Sequence, residues 1–136
     1  MNGSKDLKYG YVRPVAMSFE DALAGMEAAL KAEGFGVLCQ IDIQAKLKEK
    51  LGLTFPRYVI LGACNPPLAH QALEQEIDLG LLLPCNAVIY EKDGRVWAGA
   101  VDAAKMLSVV GNPEMSSMAE EVNGKLRRVV DSLPAS

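Results

Sequence analysis

The residues with the greatest chemical reach are two Cys-Asn pairs, Cys64-Asn65 and Cys85-Asn86, each beside a proline and each at a predicted strand boundary. The first stands in Gly62-Ala63-Cys64-Asn65-Pro66-Pro67 and the second in Leu81-Leu82-Leu83-Pro84-Cys85-Asn86. Asn65 is a favoured helix N-cap, and Pro66 fits the first helical position, where its missing N–H costs nothing. Cys64 then sits just outside a helix start, near the positive end of the dipole, where a thiol's pKa falls and its nucleophilicity at neutral pH rises. On this reading Cys64 is the candidate reactive thiol and Cys85 its partner or resolving thiol, while the amides of Asn65 and Asn86 position a polar ligand. The same residues also read as packing: Gly62 and Ala63 let strand and helix approach closely, and both cysteines are then small structural side chains. Pro67 removes a second backbone donor, which argues against phosphate binding at that helix end.

Whether the pairs form one site depends on the chain between them. A helix of about 10 residues carries it roughly 15 Å outwards, and about six extended residues can return it roughly 20 Å. With antiparallel strands Cys85 starts at the edge where Cys64 ends; with parallel strands the thiols lie a strand's length apart. His70 is the one histidine, and its helical spacing pairs it with Glu74 on a face turned away from Leu68, Ala69, Ala72 and Leu73. That pair could orient a general base or simply belong to a solvated face. A Cys64–His70–Cys85 metal site would offer three ligands without CxxC spacing, so no metal and no cofactor is expected. Asp42 reads as a helix cap. Asp102 could line a crevice or face water, Tyr90 is a further polar candidate, and Gly99 suggests a bulge or a close backbone approach.

The elements that must position these residues follow from periodicity and punctuation. A first edge strand spans residues 8–15 and ends beyond Pro14. Ser18 caps a helix carrying Phe19, Ala22, Leu23, Met26, Ala29 and Leu30 inward until Gly34 stops it. Residues 34–41 form a second strand with Cys39 as an inert core thiol. Asp42 then caps a short helix with Ile43, Leu47 and Leu51 inward, closed by Gly52. Residues 57–63 read as a central strand covered on both sides, residues 66–76 as a helix, and residues 79–84 as an extended buried return. The fourth strand, 86–92, joins the fifth, 95–101, through Asp93-Gly94, the strongest hairpin signal in the chain. An irregular connection or short turn follows over 103–110. Asn112-Pro113 then opens a last helix with Met115, Met118, Val122, Leu126, Val129 and Leu133 as its inward stripe. The order β-α-β-α-β-α-β-β-α, with one tight hairpin, excludes a purely parallel sheet. It predicts an α+β two-layer sandwich: a mixed, mostly antiparallel five-stranded sheet with helices on one face.

Composition narrows the function classes. The 136 residues make one domain, 1–136, long enough to bury a core without disulfide or metal staples. A net charge of −3, from 14 basic and 17 acidic residues, argues against a nucleic-acid partner. Lys46, Lys48, Lys50 and Lys125, Arg127, Arg128 stand among acidic neighbours and read as solvated faces. No apolar run approaches the roughly 20 residues that cross a bilayer, so no membrane partner is expected. The opening Met1-Asn2-Gly3-Ser4-Lys5-Asp6 lacks a basic segment followed by an apolar one, so a cytoplasmic location is expected. Three cysteines, an odd count, argue against a disulfide framework.

The sequence resembles the bacterial and archaeal family known as domain of unknown function 302. The resemblance rests on Gly34-Phe35-Gly36-Val37, Ile41-Asp42, Leu47-Lys48-Glu49-Lys50-Leu51-Gly52, Tyr58 followed by Ile60-Leu61-Gly62-Ala63-Cys64-Asn65-Pro66, and Gly80-Leu81-Leu82-Leu83-Pro84-Cys85-Asn86. It covers roughly residues 10 to 105 and implies a compact α+β domain forming a homodimer. It implies no reaction and no catalytic residues. Two functions therefore stand side by side. One is a small-molecule or thiol-active domain working at Cys64, Asn65, Cys85 and Asn86. The other is a non-catalytic, homodimeric binding or assembly module in which those residues only pack, with Leu79–Leu83 lining a dimer interface or pocket.

Overall fold

A computed structural model describes residues 3–136, so the reading of Met1 and Asn2 lies outside the described residues. Along the chain come β1 (Lys5–Leu7), β2 (Gly10–Val15), α1 (Phe19–Ala32), β3 (Gly36–Asp42), α2 (Ile43–Leu51), β4 (Tyr58–Cys64) and α3 (Pro66–Gln75). A 3-10 helix (Ile77–Leu82) leads to β5 (Cys85–Lys92), β6 (Arg95–Val101), α4 (Ala103–Ser108), a 3-10 turn (Pro113–Met115) and α5 (Ser116–Asp131). The strands form a 6-stranded sheet in the order β1-β2-β6-β5-β4-β3. Every pairing in it is antiparallel. The fold is the expected α+β sandwich with two differences. The first strand is itself a hairpin, because Lys8-Tyr9 turns β1 back onto β2, and no parallel pairing occurs among the described residues.

Local chemistry accounts for the turns. Asp93 (φ 53) and Gly94 (φ 74) occupy the left-handed region that a two-residue hairpin demands, setting Lys92 opposite Arg95. Helix α1 starts at Ser18, whose Oγ accepts the Asp21 N–H at 3.1 Å. It ends in a Schellman turn: Gly34 N–H reaches Lys31 O at 3.0 Å and Phe35 N–H reaches Leu30 O at 2.9 Å. Gly34 holds a φ of 87, which a β-carbon would resist.

One face of the sheet packs on α1 and α5. Val15, Val59, Leu61, Ala63, Cys85, Ala87, Ile89, Ala98 and Ala100 interleave there with Phe19, Met26, Leu30, Leu126, Val129 and Val130. Each large aliphatic side chain fully buried in this layer contributes about 1.5–3 kcal/mol. The inward stripe expected of the last helix is buried from Met115 to Leu133. Among the described residues no helix of the core clusters packs on the other face, which corrects the expectation that β4 is covered on both sides. Its run of apolar residues alternates between the core (Val59, Leu61, Ala63) and the other face, where Tyr58 and Ile60 are half-buried and Gly62 is covered by Cys39 and Pro84.

Four further expectations change. Strand β3 lies at the sheet edge with no buried residue, so Cys39 is exposed and not a core thiol. Helix α2 likewise buries no residue, and Leu51 is 64% exposed. The return before β5 is a 3-10 helix over most of its length rather than extended: Leu79 is buried as expected, whereas Leu81 is exposed. Residues 103–108, read as irregular, form a helix because Asp102 caps it, accepting the Lys105 N–H at 2.9 Å. Among the described residues no helix is long and apolar enough to cross a membrane.

Arg13 joins the two layers. It is buried on β2, and its Nη1 donates to Val130 O at 2.9 Å and Leu133 O at 2.8 Å, the carbonyls at the end of α5. Cationic donors at a helix C-terminus satisfy carbonyls that have no helical partner and complement the dipole. Arg13→Met is expected to lower unfolding free energy by about 2–4 kcal/mol in urea titrations. A loss under about 1 kcal/mol would mean that water satisfies those carbonyls equally well.

Candidate functional site

Ala63 stands opposite Cys85 and Gly62 opposite Asn86 in the antiparallel β4–β5 pair. The end of β4 and the start of β5 therefore share one rim of the sheet, the first of the two arrangements the segment length permits. The chain between them runs out along α3, turns through the 3-10 helix and returns by a cis Leu83–Pro84 peptide.

A cavity of about 320 Å³ opens at this rim. Cys64 and Cys85 both line it, with Phe35, Leu38, Leu68, Ala69, Leu73, Leu79, Leu83, Leu107, Met118 and Val122 among the remaining walls. Apart from the two thiols, the one polar side chain in its lining is Asn65. Leu38 joins through a bulge in β3, where the register shifts between Val37 and Cys39.

Each candidate residue has a distinct situation. Cys64 is half-buried and directly precedes the N-cap of α3, as the sequence predicts. Asn65 is that cap: its Oδ1 accepts the Leu68 N–H at 3.3 Å, and its Nδ2 donates to Glu33 O at 3.5 Å, tying the start of α3 to the end of α1. Cys85 is buried, and that burial, reinforced by the neighbouring Cys64 thiol, pushes its pKa up to about 11. It is therefore a protonated, poorly nucleophilic thiol at neutral pH. Asn86 is exposed on the opposite face of the sheet and does not line the cavity. It belongs to a second concavity, with Tyr58 and Tyr90.

The remaining candidates are structural or solvated. His70 Nε2 lies 2.8 Å from Glu74 Oε1, both side chains well exposed. Asp42 caps α2, accepting the Ala45 N–H at 3.0 Å. Gly99 makes the close approach expected of it: a β-carbon there would stand 2.2 Å from Val12 Cγ1. Gly62 is equally constrained, since its β-carbon would fall 2.6 Å from Cys39 Sγ and 2.9 Å from Pro84 Cγ. Among the described residues no cluster of three or more His, Cys, Asp and Glu side chains could share a metal ion. Sequence reasoning passed over Lys5, Tyr9 and Tyr58 as site residues. Tyr58 and Tyr90 meet only through the β4–β5 register, which spacing along either strand does not reveal.

Residues 11–133 match the family described as Domain of unknown function DUF302. The fold is similar to the crystal structure of an uncharacterized conserved DUF302 protein from Bacillus stearothermophilus, with a TM-score of 0.86 and 31% sequence identity. That similarity covers 91% of this chain and 97% of the other. No curated protein matches the sequence.

The buried thiol makes stability depend on alkaline pH. The folded state keeps the Cys85 proton above the ordinary thiol value of 9.0, whereas the unfolded chain releases it, so stability falls between about pH 9 and about pH 11. The difference reaches about 2–3 kcal/mol at the top of that window. The raised phenols of Tyr58 and Tyr90 act in the same direction, so the thiol's share is read by comparison with Cys85→Ala. Urea titrations at a series of pH values should show a shallower alkaline decline in the variant. Parallel curves would place Cys85 in contact with water.

Proposed function

This chain belongs to the DUF302 family, and on that footing we propose that it binds a small apolar molecule in the cavity walled by Cys64 and Cys85. The observation that carries the reading is the cavity itself: apolar side chains from β4, α3, β5 and α5 surround it, with both thiols in its wall. A cavity of about 320 Å³ is at the small end of the range for small-molecule sites, which are mostly apolar with a few placed polar groups. Cys64 is the polar group that a ligand meets, since the Asn65 amide is engaged in capping and the Cys85 thiol stays protonated. An odd number of cysteines, all free, favours a reducing compartment such as the cytoplasm.

Neutral N-phenyl-1-naphthylamine, whose fluorescence rises in apolar surroundings, tests this. It should bind the native protein, and Ala69→Phe, which fills the cavity from a half-buried position, should weaken it about tenfold. Bound probe should slow alkylation of Cys64 while leaving the exposed Cys39 unaffected, which supplies an internal control. Unchanged Cys64 labelling under saturating probe would remove the reading, as would undiminished binding to a folded Ala69→Phe protein.

A second reading, the homodimeric module, is favoured by a different observation. The accessible surface is 7651 Å², whereas a folded monomer of this mass exposes roughly 6,900 Å². Exposed Leu38, Ile41, Leu51, Leu53 and Phe55 gather around the β3 edge and α2, and an open edge strand is a template for pairing with a copy of itself. Light scattering at high micromolar concentration should then give twice the chain's 14.6 kDa, and Ile41→Lys with Leu51→Lys should halve it. A monomeric wild type would eliminate the module.

A further inference from the structure

The face of the sheet that no helix covers carries its own concavity, of about 580 Å³. Register assigns its residues. Lys5, Val12, Gly99, Val88 and Ile60 form one cross-strand row, while Pro14, Trp97, Tyr90 and Tyr58 form the next. Lys92 and Arg95 close the row beyond. Side chains directly opposite one another share a face, so this surface gathers Lys5, Lys92 and Arg95. The neighbouring acids, Asp6 and Glu91, alternate to the helix side, where Asp6 pairs with Arg127 of α5 at 2.7 Å. No carboxylate lines the concavity among the described residues. In a chain of net charge −3, this is a segregated basic surface.

Its polar groups are also unspent. The hydroxyls of Tyr9, Tyr58 and Tyr90 and the amide of Asn86 border the hollow, and none has a hydrogen-bond partner among the described residues. Burial keeps the Tyr58 and Tyr90 phenols protonated, hence available as donors. The rings of Tyr58, Tyr90 and Trp97 stack on one another, with centroids 5.2 Å and 6.1 Å apart, so their mutual packing fixes where the hydroxyls stand. Lys5 Nζ lies 4.7 Å from the Trp97 ring centroid and has no carboxylate partner among the described residues. Leu7, Val12, Val88 and Val101 supply apolar lining between the polar groups. Gly10 lines the hollow as well, and Gly99, in the Val12–Val88 row, adds no side chain to its floor. The buried Nε1 of Trp97 is a further donor without an acceptor among the described residues.

We propose that this face is a binding site for a small amphipathic anion, its carboxylate or phosphate head held by Lys5, Lys92 and the tyrosine hydroxyls and its short apolar body laid over Val12 and Val88. Charge selects that occupant over a second copy of the chain, because two such faces meeting on a two-fold axis would oppose lysine to lysine without a carboxylate between them. The site is separate from the thiol cavity, on the other side of the same strands, so its fate does not depend on that reading.

The experiment titrates octanoate, octan-1-ol and inorganic phosphate into the isotope-labelled full chain and follows backbone amide shifts. Octanoate should shift the amides of Lys5, Tyr58, Asn86, Val88 and Tyr90, while octan-1-ol and phosphate alone should each bind about tenfold more weakly, lacking head or body. The Lys5→Met/Lys92→Met protein keeps the aliphatic stems that pack the surface and should lose at least about tenfold in octanoate affinity. Lys46→Met on distant α2 should leave affinity within about twofold. Tyr58→Phe, which removes only a hydroxyl, should cost severalfold. Retained affinity in the double variant, equal binding of octan-1-ol as read from the amides of Lys5, Val88 and Tyr90, or octanoate shifts confined to residues around Leu68 and Cys85 would each overturn the proposal. So would a change of mass in light scattering when Lys5 and Lys92 are replaced, since it would make a second copy the occupant.

Discussion

The pairing of β4 with β5 is the constraint on which the rest of the molecule turns. Its register, Ala63 opposite Cys85 and Tyr58 opposite Tyr90, determines at one end which side chains wall the apolar cavity and at the other which rings stack on the open face. Because side chains alternate along a strand, a slip of one residue would move every one of them to the other side. Gly62 and the Pro84 ring pack so closely that the register has little freedom, since a β-carbon at position 62 would fall 2.9 Å from Pro84 Cγ. The β5–β6 hairpin then extends the pairing to the sheet centre through the left-handed Asp93-Gly94 turn.

The helices complete only one side of this frame. Arg13 ties β2 to the end of α5, and Asn65 ties the start of α3 to the end of α1. In both cases a polar side chain satisfies backbone groups that a helix end leaves open. Asn65 was legible as a cap from its neighbours Pro66 and Pro67 but also looked like a ligand amide. The structure occupies both ends of its amide with backbone partners, which shows why a residue that caps a helix makes a weak candidate for recognition.

Much of the fold could be read from residues with strong local preferences. Ser18, Asp42, Asn65 and Asp93-Gly94 act where they stand, through hydrogen bonds or φ values that their own side chains determine. The errors fall where tertiary placement decides. Cys39 sits in an apolar run that would be buried in a central strand, but β3 is an edge strand with no buried residue. The continuous apolar run of β4 looks like a strand covered twice, yet only its Val59, Leu61 and Ala63 side faces helices. Lys5 illustrates the same limit, since only the β1–β2 hairpin brings it over Trp97. Composition cannot reveal which face of a sheet is left open, because that depends on where the connecting helices land.

Cys85 and Asn86 make the point in its sharpest form. Read as a motif, they are one unit beside a proline. As consecutive residues of a strand they must point to opposite sides of the sheet, and they do: Cys85 is buried in the core face, while Asn86 is exposed on the other. One dipeptide therefore contributes to two hollows of opposite character, an apolar one walled by thiols and a basic one bordered by phenols. A neutral ligand is suited to the first, where a charge would be desolvated without a counter-ion. An anion is suited to the second, whose lysines and phenol hydroxyls have no carboxylate in the lining among the described residues. The alternation that builds the sheet thus gives the two hollows opposite chemical character, and a residue pair that reads as a single site marks the boundary between them.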